Sequence, residues 1–375
     1  MKKQLLCTSA IALGVAAAAP ASAQDWNLDW GGFYNQHIAF GDISSSVVAP
    51  GVEFDGDALD LHQTAEIIFT PSVTLDNGLT FGVNIQMEGQ NGMNIDESYM
   101  SISSDTFGRL DVGSENSAGY KMMTGAPSVH SMFINSPSSS AFIPFTGTGT
   151  ALGFRQAGLS SYTEVAGNND VPRITYYTPS FNGLTLGVSY APEGTTNAGS
   201  SFSLNRNAVL TDIFDIGVGY SQSFGAADVT LAARWGTGNT PSVAPGASDP
   251  ETWGIGFNVG FNGITIGGSY NENDNDDTLI ATGAFGDSEG WSFGVSYDAP
   301  GPWSFSAETY QSETDLVNVA GGKLDREAYA IAASRDLGPG VDWDIYIVME
   351  ERDNNQTAGT DVEGTVLGTA INLSF

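Results

Sequence analysis

The charged residues of this chain fall on alternate positions of short apolar runs, a spacing that builds a polar wall rather than a reaction centre. Asp60, His62, Thr64 and Glu66 alternate with Leu61, Gln63, Ala65 and Ile67, and Asn84, Gln86 and Glu88 alternate with Val83, Ile85 and Met87. Successive side chains of a strand point to opposite faces, so each polar set shares one face. Parity places Glu97, Arg109, Asp111 and Arg173 on the same polar face, followed by Asp215, Arg234, Glu308, Asp342, Asp344 and Glu350. Acids outnumber bases in this set. A ring of carboxylates favours cations and rejects anions, and mixed charges across a narrow gap set a transverse field. Catalytic chemistry has no comparable footing. His37, His62 and His130 lack the spacing of a metal pair, and the chain has no nucleophile elbow, phosphate loop or cysteine motif. It is read as a non-enzyme.

Composition narrows the classes further. Twelve Lys and Arg against 43 Asp and Glu give a net charge of −31, which excludes a nucleic-acid partner because phosphate contacts need clustered bases. Such acidity is common in disordered chains, but 11% aromatic residues and alternating apolar runs that recur to the last residue argue for a folded wall. The N-terminus reads as a secretory signal over residues 1–23: Lys2 and Lys3, an apolar stretch from Leu5 to Ala19, then Ala21-Ser22-Ala23. The single cysteine, Cys7, lies inside it. Residues 24–375 then form one domain without disulfides or thiolate metal sites.

The elements that hold the polar residues are strands of about 8–12 residues with period-2 alternation. Leu184, Leu186, Val188 and Tyr190 share one face, as do Trp253, Ile255, Phe257 and Val259, and Trp291, Phe293, Val295 and Tyr297. A sandwich would pack this apolar face on a second sheet. A membrane barrel would turn it to lipid between aromatic girdles. Connection lengths discriminate. Tight turns at Leu75–Leu79, Asp105–Gly108, Pro179–Gly183, Gly225–Asp228, Phe261–Gly263, Asp298–Pro302 and Leu337–Gly340 alternate with longer polar connections near 41–58, 89–94, 115–170, 191–211, 237–250, 271–289, 313–324 and 353–361. That alternation predicts an all-β fold, a sixteen-stranded antiparallel transmembrane β-barrel. After the signal no stretch approaches the roughly 20 apolar residues of a spanning helix. The last strand, with Leu367, Ile371 and Leu373 on one face, stops on Phe375, an ending similar to the sorting signal of outer-membrane barrels.

These features resemble a known family. Asp96-Glu97-Ser98-Tyr99-Met100 followed by Phe107-Gly108-Arg109-Leu110-Asp111-Val112-Gly113 looks like a strand–turn–strand unit of the general porins of Gram-negative bacteria, in particular the alphaproteobacterial branch. The run from Arg173 to Leu184 resembles the segment after that family's third loop. The resemblance implies a homotrimer in the outer membrane and a third loop folded into the lumen. Its arginine wall facing an acidic loop is not matched here, because bases are scarce and 115–170 is not conspicuously acidic.

The length of 115–170 itself marks a functional connection. Tyr120, Met122, Met123, Phe133, Phe142, Phe145 and Phe154, set among Ser, Thr and Gly, suit packing against a wall. Two placements are open: an inward constriction, or a flap over the mouth. Passive diffusion of small hydrophilic solutes is the expected activity, with weak cation selectivity set by Asp60, His62, Glu66, Glu88, Glu97, Arg109, Asp111 and Arg173. The rivals are a substrate-selective channel with a site in the constriction and a non-conducting adhesin or structural barrel. No cofactor is expected beyond Ca²⁺. Asp274, Asp276 and Asp277 could bind that ion, and the acids of 271–277 and 350–353 could share divalent ions with lipopolysaccharide at the outer mouth. The 271–277 run lacks the glycine and distal glutamate of an EF-hand loop.

Overall fold

Strands follow the alternation closely. In the computed structural model, which describes residues 25–45, 57–90, 94–143, 154–194, 207, 209–240, 248–275, 286–315, 322–355 and 361–375, sixteen antiparallel strands close into one barrel. They are β1 (Asn27–Ser45), β2 (Ala58–Thr74), β3 (Thr80–Glu88), β4 (Ile95–Ser104), β5 (Gly108–Glu115), β6 (Val171–Tyr177), β7 (Leu184–Glu193) and β8 (Thr211–Phe224). The second half comprises β9 (Ala227–Asn239), β10 (Glu251–Phe261), β11 (Ile264–Asp274), β12 (Ser288–Asp298), β13 (Trp303–Asp315), β14 (Lys323–Gly338), β15 (Val341–Asn354) and β16 (Val362–Ser374). The signal segment 1–23 lies outside the described residues.

Each strand pairs with its sequence neighbours, so every ladder is a hairpin and closure comes only from β1 meeting β16. The seven tight turns stand where the sequence places them. Asn182-Gly183 and Asn262-Gly263 hold positive φ at both positions, the type I′ geometry that matches the twist of flanking strands. At the seam, Gly32 and Phe375 exchange backbone hydrogen bonds of 3.0 and 3.1 Å, so the terminal aromatic completes the last ladder. A Cβ on Gly32 would stand 2.2 Å from the Glu66 carbonyl oxygen. That position therefore tolerates only glycine.

Parity separates the faces as expected. Ile255, Phe257, Phe293, Ile331, Ile347 and Leu367 are exposed on the outer face, whereas Ser269, Ser292, Ser306 and Asn271 are buried on the inner one. Exposed apolar rows around a closed barrel suit hydrocarbon, not water. The inner face is not uniformly polar, however. Ala328, Ala330, Ala332, Tyr346, Val348, Val366 and Ala370 on β14–β16 pack with Met132, Ile134 and Ile143 of the β5–β6 connection into an apolar cluster. Parity also splits the run Glu350-Glu351-Arg352-Asp353. Glu350 and Arg352 are buried inside, while Glu351 and Asp353 are exposed opposite Glu327 and Asp325. Half of that run is thus not the solvated mouth expected of it.

Candidate constriction site

The β5–β6 connection meets the inner face of almost every strand from β7 to β16. It opens with a short helix, α1 (Ala118–Met122), capped by Ser117, whose hydroxyl accepts from the Tyr120 amide at 3.1 Å. Ala118 N–H donates to Ser189 Oγ on β7 (2.8 Å), Ala126 N–H to Ser292 Oγ on β12 (3.0 Å), and Val129 N–H to Ser306 Oγ on β13 (3.2 Å). Ser131 donates to Asp344 on β15 and Asn372 on β16, and Ala157 N–H to Asn273 Oδ1 on β11. Wall glycines make room for this approach. A Cβ on Gly217 would lie 2.7 Å from the Ala118 carbonyl oxygen, and one on Gly256 would lie 2.1 Å from that of Thr124. These two inward glycines therefore mark where the wall backbone meets the backbone of the connection.

Three ionic knots fasten the connection. On β9, Arg234 donates to the Thr163 carbonyl and pairs with Asp215 of β8, all buried. On β14, Arg326 Nε donates to Glu350 Oε1 (2.6 Å) and Nη2 to the Ile134 carbonyl (2.9 Å), with Arg352 paired to the same carboxylate. Near β6, Glu164 accepts from the Ser117 amide at 2.7 Å and stands 3.9 Å from Arg173, which donates to Asn168. A buried charge is tolerated only when paired and hydrogen-bonded. Each knot pairs its charges, and each also keeps a buried polar atom without a hydrogen-bond partner among the described residues, as at Arg234 Nε, Glu350 Oε2 and Glu164 Oε2.

Across the lumen wall from β2 to β5 the balance differs. Glu97 accepts from Gln86 (3.0 Å) and from the Asn116 side chain (2.8 Å), which also donates to Asp170 (2.8 Å). Lys121 bonds Glu115 at 2.7 Å, lies 3.6 Å from Glu97, and rests 4.6 Å from the Tyr99 ring centre. Burial opposes its charge, yet Glu115 and Glu97 outweigh that and hold the ammonium above its ordinary range. Burial, reinforced by Asp96 and Glu97, pushes the Asp170 carboxyl up to about 8. Glu66 and Glu88 sit opposite each other in register. Among the described residues, no basic group lies within ion-pair distance of Glu66, Glu88 or Asp170.

The sequence-derived candidates divide accordingly. Glu66, Glu88 and Glu97 come together; Arg109 and Asp111 form their own pair at 2.8 Å; Arg173 belongs to a knot. Asp60 stands exposed on β2, away from the others. His62 lies 6.0 Å, ring to ring, from His37 and 5.9 Å from Phe142, while His37 Nδ1 is 3.0 Å from the Tyr346 hydroxyl. His130 Nε2 contacts Glu308 at 2.9 Å and stacks on Tyr346. All three histidines of the chain therefore gather where sequence spacing had shown no relation. Sequence reading also missed Glu115, Lys121, Glu164, Asp170, Arg326 and Arg352. Strand parity would have found Glu115, Arg326 and Arg352; the others depend on the path of the connection. Asp274 ends β11, Asp276 and Asp277 lie outside the described residues, and among the described residues no group of three or more metal-ligating side chains forms.

The profile of the Gram-negative porins matches residues 8–357. The chain belongs to the Gram-negative porin family. Among solved structures, this porin is similar to the trimer form of OmpT, an outer-membrane protein of Vibrio cholerae, at 12% identity and a TM-score of 0.61, covering 93% of this chain and 99% of that one. It is also similar to an anion-selective porin from Comamonas acidovorans (15% identity, TM-score 0.55, 94% and 100% covered). A third likeness is to the outer-membrane channel DcaP of Acinetobacter baumannii (14% identity, TM-score 0.60, 96% and 100% covered). No curated protein sequence matches the chain. Family membership makes this porin an outer-membrane channel of a fold whose members are non-enzymatic.

Proposed function

We propose that this porin passes small hydrophilic solutes and ions by passive diffusion, with a weak preference for cations, through a lumen narrowed by the β5–β6 connection. The reading of that connection as the constriction is supported by its hydrogen bonds to inward residues on opposite sides of the barrel, from Ser189 to Asn372. Such a span suits a segment inside the wall better than a flap over the mouth. The observation that carries the selectivity is the charge pairing. Lys121, Arg109, Arg173, Arg234, Arg326 and Arg352 each face a carboxylate, whereas Glu66 and Glu88 face no base among the described residues. A mobile cation therefore meets uncompensated carboxylates, while an anion meets bases that are neutralised apart from Arg155 of the connection, which donates to Asn169 and Tyr120 rather than to an acid.

The fold alone does not fix this sign, since one structural neighbour is described as anion-selective. The trimer form of OmpT makes a homotrimer the natural assembly, and residues 1–23 act as the export signal. The deciding measurement is the zero-current potential of the refolded mature chain in a planar bilayer under a potassium chloride gradient. A cationic sign that weakens in a Glu66→Gln, Glu88→Gln double variant supports the reading. An anionic sign refutes the selectivity, and a folded barrel without conductance refutes the channel.

A further inference from the structure

One cavity in this porin is lined unlike the rest of the wall. It measures about 570 Å³ and lies between the inner face of β10–β12 and the turn of the β5–β6 connection after α1. That size falls within the roughly 300–1,000 Å³ of small-molecule sites. Three aromatic rings border it: Tyr120, Phe133 and Tyr162. Tyr120 and Tyr162 stand 5.8 Å apart and tilted by 57°. Phe133 is 38% exposed although its neighbours Met132 and Ile134 are buried in the apolar cluster. Phe133, stacked on His130 at 6.3 Å between ring centres, thus keeps part of an apolar ring turned to the cavity.

The remaining lining specifies the class of that ligand. Ser136, Thr265 and Ser296 supply hydroxyls that can both donate and accept, while the Asn135 and Asn258 amides are held by Ala126, Thr124 and Gly125. Among the described residues of the lining, Lys121 is the only charged side chain, and Glu115 and Glu97 neutralise it. An anionic solute finds no free cation here, and a cation finds no carboxylate in the lining. A neutral solute with one apolar face and a rim of hydroxyls satisfies both halves of the wall. Pyranose sugars have that form: axial C–H groups on one face and equatorial hydroxyls around the edge.

We propose that this cavity is a subsite for neutral saccharides, with Phe133 as its aromatic floor and Ser136, Thr265 and Ser296 as its hydroxyl-reading wall. The inference rests on the channel reading above and deepens it from simple diffusion to a path with a resting place for one solute class.

The test is the ion current through single refolded trimers during titration with glucose and with maltose, against a polyethylene glycol of similar size and against benzoate. Saturable block by the sugars is expected, with no saturation for the glycol or benzoate. Phe133→Ala, which removes an exposed ring and so leaves the fold intact, should raise the half-blocking sugar concentration on the order of ten-fold. Thr265→Val, equal in volume, should weaken the block through lost hydrogen bonding alone. Sugar effects that stay linear and match the glycol would overturn the subsite, as would an unchanged block in both variants. Saturable block by benzoate but not by sugars would overturn the assigned class. Absence of any current would instead indict the channel reading.

Discussion

Replacing Arg326 by Met should loosen the β5–β6 connection without opening the barrel. The side chain is 1% exposed and reaches Glu350 Oε1 at 2.6 Å, the Ile134 carbonyl at 2.9 Å, Ser139 Oγ at 3.4 Å and the face of Tyr310 at 5.0 Å. Loss of a charged donor to a buried carbonyl costs about 1.5–3 kcal/mol. Glu350 keeps Arg352, so the penalty stays below the ~3–5 kcal/mol of a fully orphaned buried charge. A total of about 2–4 kcal/mol follows, and at 1.4 kcal/mol per decade the population of conformers with residues 129–143 off the wall rises roughly 30- to 700-fold. Met keeps most of the side-chain volume, so packing against the Ile134 cluster persists. Open-channel current noise and protease cleavage within 129–143 should both increase, while strand content and heat resistance in detergent stay near those of the parent. Lys323→Met is the control: its pair with Glu313 is solvent-exposed and screened, and no change in either readout is expected. Parental noise and protease resistance in a folded Arg326→Met barrel would show that the knot does not hold the connection.

Cation preference should rise with pH through about 8, because Asp170 is neutral below that value and adds a carboxylate beside Glu97 above it. The folded chain holds this proton more tightly than the unfolded chain, whose ordinary value is 3.8, so the same group withdraws stability as pH climbs from about 4 to 8. Zero-current potentials of parent and Asp170→Asn from pH 6 to 10 check this; a rise that survives in the variant assigns it elsewhere. Gly217→Val should push α1 from β7 and β8 at an overpacking cost of about 1–3 kcal/mol and change unit conductance, since its Cβ meets the Ala118 carbonyl. Equal conductance would mean α1 does not bound the path. Ile331→Arg, in the exposed apolar row of β14, should cost about 2–4 kcal/mol of folding stability in lipid, read by urea titration in bilayers. A cost near zero would place that row against protein.

The barrel was legible in the sequence because a lipid-facing, closed sheet constrains every residue in two ways. Alternation fixes the face, as in Trp253, Ile255, Phe257 and Val259, and turn chemistry such as Asn182-Gly183 and Asn262-Gly263 fixes where the chain reverses. Parity alone put Glu66, Glu88, Glu97, Arg173, Asp215, Arg234 and Glu350 on the inner wall, since a strand carries its face from residue to residue.

What parity cannot reveal is which inward residues meet. Arg326, Glu350 and Arg352 bind one another around the Ile134 carbonyl, and His37, His62 and His130 gather near Tyr346, because closure of the sheet and the path of one connection bring distant positions together. The apolar inner patch on β14–β16 has the same origin: Ala328, Val348 and Val366 are lumen-facing by parity, yet Met132, Ile134 and Ile143 cover them. Strand identity and face are local properties, written in period and turn. Charge compensation and the lining of the cavity depend on contacts between residues far apart in the chain, and only the closed tertiary structure decides them.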